Sequence, residues 1–333
     1  MTEARGYPAI DGFRLVCAWL VITIHTAPLA DVSATADFLL TRVLARIAVP
    51  FFFMVSGFFV LPRGRSAVRR FLKQTALLYA AAIVLYLPVN FYMGTFQHSD
   101  AATLLRLVAT LGTMYHLWYL PAVLLGMIVS HWLRHVFGCC DALGIAALLY
   151  LIGLGGDSYY GLVGHWPVFE EIYSLVFQIF GYTRNGLFFA PMFLLLGAAL
   201  AQRPPALSRR AAAVGACFSL LLMTIEALWL RANDWPRHDS MTLVLPLLMV
   251  CLFTLLLHFR GHRLPLAADT AMLVYILHPL MILVVRFGAR LTHAQALFVD
   301  NAFVHFLSVS LLSFLIAGIL AALKRTLERR SLP

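Results

Sequence analysis

Charge is what this sequence has least of. Asp, Glu, Lys and Arg together make up 12% of its 333 residues, against about a quarter in ordinary soluble domains, and that shortage excludes a water-exposed globule covered in ionised side chains. Acids are scarcer still, 15 against 25 Lys and Arg. The positive excess does not point to nucleic acid, because a phosphate-binding surface needs its basic residues clustered on polar surface, whereas here they fall in short gaps between apolar runs. Cysteine is sparse as well. Cys17, Cys139, Cys140, Cys217 and Cys251 lie in or beside apolar runs without CxxC or metal-site spacing, so neither a disulfide framework nor a metal centre is indicated. Low-complexity linkers and internal repeats are absent too, and the chain reads as one domain over 1–333.

What the sequence does have is apolar length. Hydrophobic residues make up 62% of it, and ten spans can be drawn, near 12–31, 39–61, 74–92, 115–134, 140–155, 186–202, 211–231, 241–259, 268–288 and 303–323. The expectation is an all-α polytopic membrane protein in the lipid bilayer. An even count puts both termini on one side. Arg5, the run Arg63, Arg65, Arg69, Arg70 and Lys73, then Arg203, Arg209 and Arg210, Arg260 and Arg263, and the tail Lys324, Arg325, Arg329 and Arg330 fall in alternate segments. Asp31, Asp37, Asp100, Asp157, Glu170 and Glu171 fall in the opposite ones. The positive-inside rule then makes the N and C termini cytoplasmic. The first span is expected to be an uncleaved helix, since Arg14 and His25 interrupt any signal-peptide core. Between spans, 103–111 reads as a short interfacial helix, and the aromatic segment 156–185 as an interfacial belt or a flap over a cavity.

Polar residues inside apolar spans are costly and therefore informative. The first span, IDGFRLVCAWLVITIHTAP, carries Asp11, Arg14 and His25. Eleven residues are nearly three helical turns, so Arg14 and His25 leave one side of the helix about 16 Å apart, with Asp11 one turn before Arg14 and Ala18 and Val21 between. In the second span Arg46 precedes Pro50, whose missing N–H predicts a kink that frees the carbonyl of Arg46, and Ser56-Gly57 reads as helix packing. His116 and Trp118 open the fourth span, Arg184 and Asn185 the sixth. Glu226 stands in the seventh as an acid needing a partner, expected to be Arg46, His25 or Arg184, and His278-Pro279 lies in the ninth. His25, Arg46, His116, Arg184, Glu226 and His278 are expected to converge on the outer half of the bilayer, with Arg14 at the inner edge of the first span. Enzyme and transporter both fit such a cluster.

The same residues resemble a family. IDGFRLVCAWLVITIHT, with Arg14 and His25, is similar to the first-helix pattern of the acyltransferase-3 membrane proteins, and RIAVPFFFMVSGFFV, HLWYLPAVLLG and VYILHP extend the resemblance through the chain. TRNGLFFAPMFLLLGA and VPFFFMVSGFFV are more particularly similar to the membrane half of VanT-type serine racemases, with the racemase half expected to be absent. The resemblance implies a bacterial inner-membrane O-acyltransferase. Its donor would be acyl-CoA, commonly acetyl-CoA, and its acceptor a hydroxyl of an extracytoplasmic carbohydrate or similar molecule. On that basis His25 is expected as general base or acyl carrier, and Arg46 or Arg184 as stabiliser of the oxyanion. Glu226 completes the expected catalytic set. Arg14, Arg63, Arg65 and Arg69 would hold the CoA phosphates, while Asp11, His116, Trp118, Arg184, Asn185 and His278 would line the substrate site. The VanT-like resemblance keeps amino-acid transport as the alternative.

Overall fold

The computed structural model describes residues 6–97, 100–203 and 206–330, with the side chains of Arg329 and Arg330 excepted. Arg5 lies outside the described residues. Helices follow one another along the chain: α1 (Pro8–Thr26), α2 (Ala34–Phe38), α3 (Ala48–Val60), α4 (Arg65–Tyr92), α5 (Ala101–Arg106), α6 (Tyr119–Gly155), α7 (Tyr160–Val163), α8 (Pro167–Phe180), α9 (Ala190–Gln202), α10 (Arg209–Ala232), α11 (Leu245–Leu257), α12 (Pro265–Leu291), α13 (Gln295–Phe298) and α14 (Ala302–Arg330). Among the described residues there is no strand, only a single bridge in which Gly6 and Gly261 exchange backbone hydrogen bonds.

Seven helical runs among the described residues are long and apolar enough to cross a membrane: α1, the run Ala34–Arg63, α4, α6, α10, α12 and α14. The expected sixth and eighth spans correspond to α9 and α11, of 13 residues each, or about 20 Å at 1.5 Å per residue, short of the roughly 30 Å hydrocarbon layer. The expected fourth and fifth spans lie on one element. α6 runs through both and breaks at Gly138, whose φ of 82° and ψ of −172° a side chain opposes.

Two boundaries differ from the sequence expectation for local reasons. α1 starts at Pro8 and stops at Thr26, with Ala27 in the left-handed region and Pro28 beyond, so His25 belongs to the last turn and not to the helix interior. The irregularity in the second span is a π turn over Leu39–Val43 and a 3-10 turn over Leu44–Ile47. Pro50 follows closely on these two turns within the same helical run Ala34–Arg63, so the departure from α geometry lies just before the proline.

The described chain forms two compact units, one of residues up to Ala48 with those from Leu255 onward, the other Val49–Thr254. In the first unit α1 and α12 run parallel and in register. Asp11 Oδ2 accepts the N–H of Leu264, the residue before α12, and His25 stacks on His278, ring centroids 5.1 Å apart; both pairs are offset by the same number of residues along the chain. α14 runs the other way. Its start is held by Asp31, which accepts the N–H of Ala302 at 2.7 Å, and its end by Lys324, 2.8 Å from Asp269 on the first turns of α12. Ile10, Cys17, Ala18 and Ile22 of α1 and Val274 of α12 are fully buried in this unit.

In the second unit small residues let helices touch backbone to backbone. A β-carbon on Gly57 of α3 would collide with the backbone of Leu194 on α9, and one on Gly197 with the backbone of Met54. The packing expected at Ser56-Gly57 is therefore present, and the Ser56 hydroxyl stays within its own helix, donating to Phe52 O at 3.0 Å.

Candidate functional site

The first unit gathers Asp11, Arg14, Arg46, His25 and His278. α1 presents the polar stripe that its spacing implies, and α12 covers it. Arg14 lies 3.5 Å from Asp11, one turn earlier, with both side chains largely shielded. Ala18 and Val21 fill the stripe at 0% and 4% exposure. At its far end the His25 ring lies 26° from parallel with that of His278. Pro279 determines how His278 is held. Lacking an N–H, it leaves the Tyr275 carbonyl without its helical donor, and Nδ1 of His278 takes that place at 2.8 Å, with Val274 O at 3.1 Å. Two carbonyls can only accept, so Nδ1 carries the proton. Pro279 thus releases an acceptor at Tyr275, beside the histidine pair. Arg46, in the 3-10 turn before α3, is buried at 8% exposure.

The second unit holds Arg184, Trp118, Asn185, His116 and Glu226, together with an acid whose importance the sequence did not disclose. The Arg184 guanidinium lies 4.8 Å from the Trp118 ring and 5.0 Å from that of Tyr182, and points Nη1 toward Ser240 Oγ at 3.5 Å. Such cation–π seats contribute about 0.5–2 kcal/mol. Asp157, in the turn after α6, is completely buried. Its Oδ1 accepts the N–H of Ser240 at 2.7 Å, the N–H of Met241 at 2.9 Å and the Ser158 hydroxyl at 3.0 Å, while Oδ2 has no hydrogen-bond partner. Burial pushes its carboxyl up to about 6 against the opposing pull of Arg184 and these donors. The available signal was an acid in a glycine-rich stretch, GLGGDSYY, at the end of an apolar span.

Glu226 has partners of a different kind from those expected. Instead of an arginine or histidine, its carboxylate receives the Tyr159 hydroxyl at 2.8 Å and the backbone N–H groups of Leu243 and Val244 at 2.6 and 3.1 Å. It closes the approach to α11, whose first N–H groups need acceptors. Burial and the neighbouring carboxylate push the Tyr159 phenol up, so it stays a donor. Asn185 is likewise a local fastener. Its side chain donates to Tyr182 O and accepts from the N–H groups of Leu187 and Phe188, while Gly186 admits α6, where a β-carbon would stand 2.5 Å from Leu125 Cβ. His116 is buried edge-on against Tyr86, 5.0 Å between ring centroids. Arg63, Arg65 and Arg69 are exposed around the start of α4, which has no acid in its first turn and no side-chain cap. Among the described residues no three His, Cys, Asp or Glu side chains cluster so as to hold a metal ion.

Comparison with known proteins adds sequence relatives and no solved structure. An amino-acid racemase of Enterococcus faecalis is 39% identical over 334 residues, spanning 98% of this chain and 47% of the relative. A serine/alanine racemase of Enterococcus gallinarum is 35% identical over 315 residues, spanning 91% and 44%. The chain therefore covers about half the length of the curated relatives it matches. Over residues 7–322 it also matches the acyltransferase-3 family model, described as an acyltransferase domain, and the chain, a multi-pass helical protein by its apolar helices, belongs to that family.

Proposed function

We propose that the chain is a membrane O-acyltransferase of the bacterial inner membrane that moves an acyl group, acetyl in the first instance, from acyl-CoA to a hydroxyl of an extracytoplasmic acceptor such as a carbohydrate. The observation that carries this reading is the covered stripe on α1, with the Asp11–Arg14 pair at one end and His25 against His278 at the other. His25 takes the proton of the acceptor hydroxyl as its oxygen attacks the thioester carbonyl; collapse of the tetrahedral adduct breaks the carbon–sulfur bond, and the proton leaves with the CoA thiol. Arg46, a buried cation in the same unit, is suited to the developing oxyanion. Arg14, paired with Asp11 at the other end of the stripe, offers a charge-assisted contact to a CoA phosphate.

Membrane vesicles supplied with radiolabelled acetyl-CoA and a cell-envelope carbohydrate fraction test the proposal. His25→Ala is expected to lose transfer by about 100-fold or more while inserting normally, the scale for removal of a general base. Wild-type turnover in the variant overturns the assignment.

One observation favours a second reading. The relatives are named racemases of amino acids, and the second unit holds a cation, Arg184, near a buried carboxylate, Asp157, opposite charges that match a zwitterion. Under that reading the chain carries an amino acid across the bilayer. Uptake of radiolabelled serine by the same vesicles, with no acetyl transfer, selects it.

A further inference from the structure

α8 has three faces where a water-soluble helix has two. At 3.6 residues per turn, Tyr173, Phe177 and Phe180 fall on one side, and this side packs. Tyr173 is buried, its hydroxyl donates to Ile152 O on the last turns of α6 at 2.7 Å, its ring stacks on Phe177, and the Arg237 guanidinium covers Phe177 at 3.4 Å. Glu170, Glu171, Ser174 and Gln178 form the next side, polar and exposed. Val168, Ile172, Leu175 and Ile179 form the third. This stripe is wholly apolar, yet Val168 is 67% and Leu175 60% exposed. A helix that keeps a wet side and a bare apolar side next to each other suits the plane where water meets hydrocarbon.

The occupant of the bare stripe follows from what adjoins it. The Tyr173 hydrogen bond fastens α8 to the end of α6, one of the helices long and apolar enough to cross the membrane. Just there α6 leaves Leu148, Leu151 and Ile152 exposed, a flank with the composition that faces lipid. The helix that carries the bare stripe is thus fastened to a part of α6 that itself leaves apolar side chains exposed. Trp166, exposed immediately before α8, is the residue type that settles at headgroup level. Glu170 and Glu171 on the wet side oppose an anionic surface and fit a zwitterionic one.

We infer that α8 is an interfacial anchor, lying in the membrane surface with Val168, Ile172, Leu175 and Ile179 in the acyl-chain boundary of a zwitterionic phospholipid layer. Arg184 follows α8 by four residues, so the anchor sets the depth of that side chain. The inference does not depend on the reaction proposed above.

Spin labels placed singly at 175 and 178 of the full chain, with the native cysteines replaced, test it after reconstitution into phosphatidylcholine nanodiscs. A label at 151 serves as the lipid-facing reference. Expected is a reversal: the label at 175 relaxes with oxygen, as at 151, and that at 178 with an aqueous nickel complex. A label at 175 shielded from both reagents would mean that a second copy or another segment covers the stripe, and one reached mainly by nickel would mean that it faces water; either overturns the inference. In the unsubstituted chain, a lipid-soluble photoactivated carbene is expected to mark Ile172 and Leu175 and to spare Gln178. Failure to mark them overturns it equally.

Discussion

An ionisable side chain in an apolar protein is governed by the groups it meets, and three acids here meet three kinds of partner. Asp11 has an arginine one turn away and a backbone N–H; Glu226 has a phenol and two N–H groups; Asp157 has three donors on one oxygen and none on the other. Asp157 holds its proton more tightly folded than unfolded, with a native value of about 6 against 3.8. Between those values the unfolded chain has released the proton and the native chain has not, so stability falls as pH rises from about 4 to about 6. The full shift corresponds to on the order of 3 kcal/mol. Asp157→Asn, which keeps an acceptor for Ser240 and Met241, is expected to flatten this slope in detergent melting curves across that range. For Glu226→Gln, the carboxamide turns one accepting oxygen into a donor that faces an N–H. A lowered melting temperature, equivalent to about 1–3 kcal/mol, is expected, and an unchanged one would remove Glu226 from its role at the start of α11.

Among the elements, the long apolar runs were legible because hydrophobic length and period are local properties. Where they break was less so. Pro50 suggested a kink, and the chain leaves α geometry in the π and 3-10 turns just before it, but nothing in the sequence says how far that irregularity extends. Pro279 acts as a helix-interior proline, and its own neighbour His278 fills the vacated acceptor. Gly138 shows what a break requires. With φ at 82° and ψ at −172°, it occupies a region nearly restricted to glycine, while Gly144 on the same helix has no positive φ. A β-carbon added at either position would meet no neighbouring atom within 4 Å. Space being equal, backbone conformation alone separates them. Gly138→Ala is expected to destabilise by about 1–3 kcal/mol, and Gly144→Ala to be neutral or to stabilise by up to about 1 kcal/mol. Thermal melting of the two variants side by side checks this.

At the scale of the molecule, charge asymmetry and the course of the first unit bear on topology together. The contacts Asp11–Leu264 and Lys324–Asp269 place the start of α1 and the end of α14 at one end of that unit, where Arg260, Arg263 and Arg325 also cluster in sequence. Both tails are expected in the cytoplasm. A fluorescent reporter fused before α1 or after α14 should light up, and a phosphatase at either place, active only outside, should be silent; phosphatase activity at one end alone would require an odd number of crossings.

The sequence by itself determined the apolar class of the protein, its helical content, and the stripe of Asp11, Arg14 and His25, because each depends on composition or on spacing within one helix. Tertiary structure decided what faces that stripe. His278 reaches His25 only because α12 runs parallel to α1 in matched register, and nothing within either segment specifies that register. It decided the acids too. The backbone donors to Asp157 lie 83 and 84 residues further along the chain and those to Glu226 lie 17 and 18, and a backbone N–H is a group that every residue but proline possesses. A buried carboxylate takes the donors that packing brings within reach, so side-chain identity could announce that a partner was needed, and the fold alone chose which.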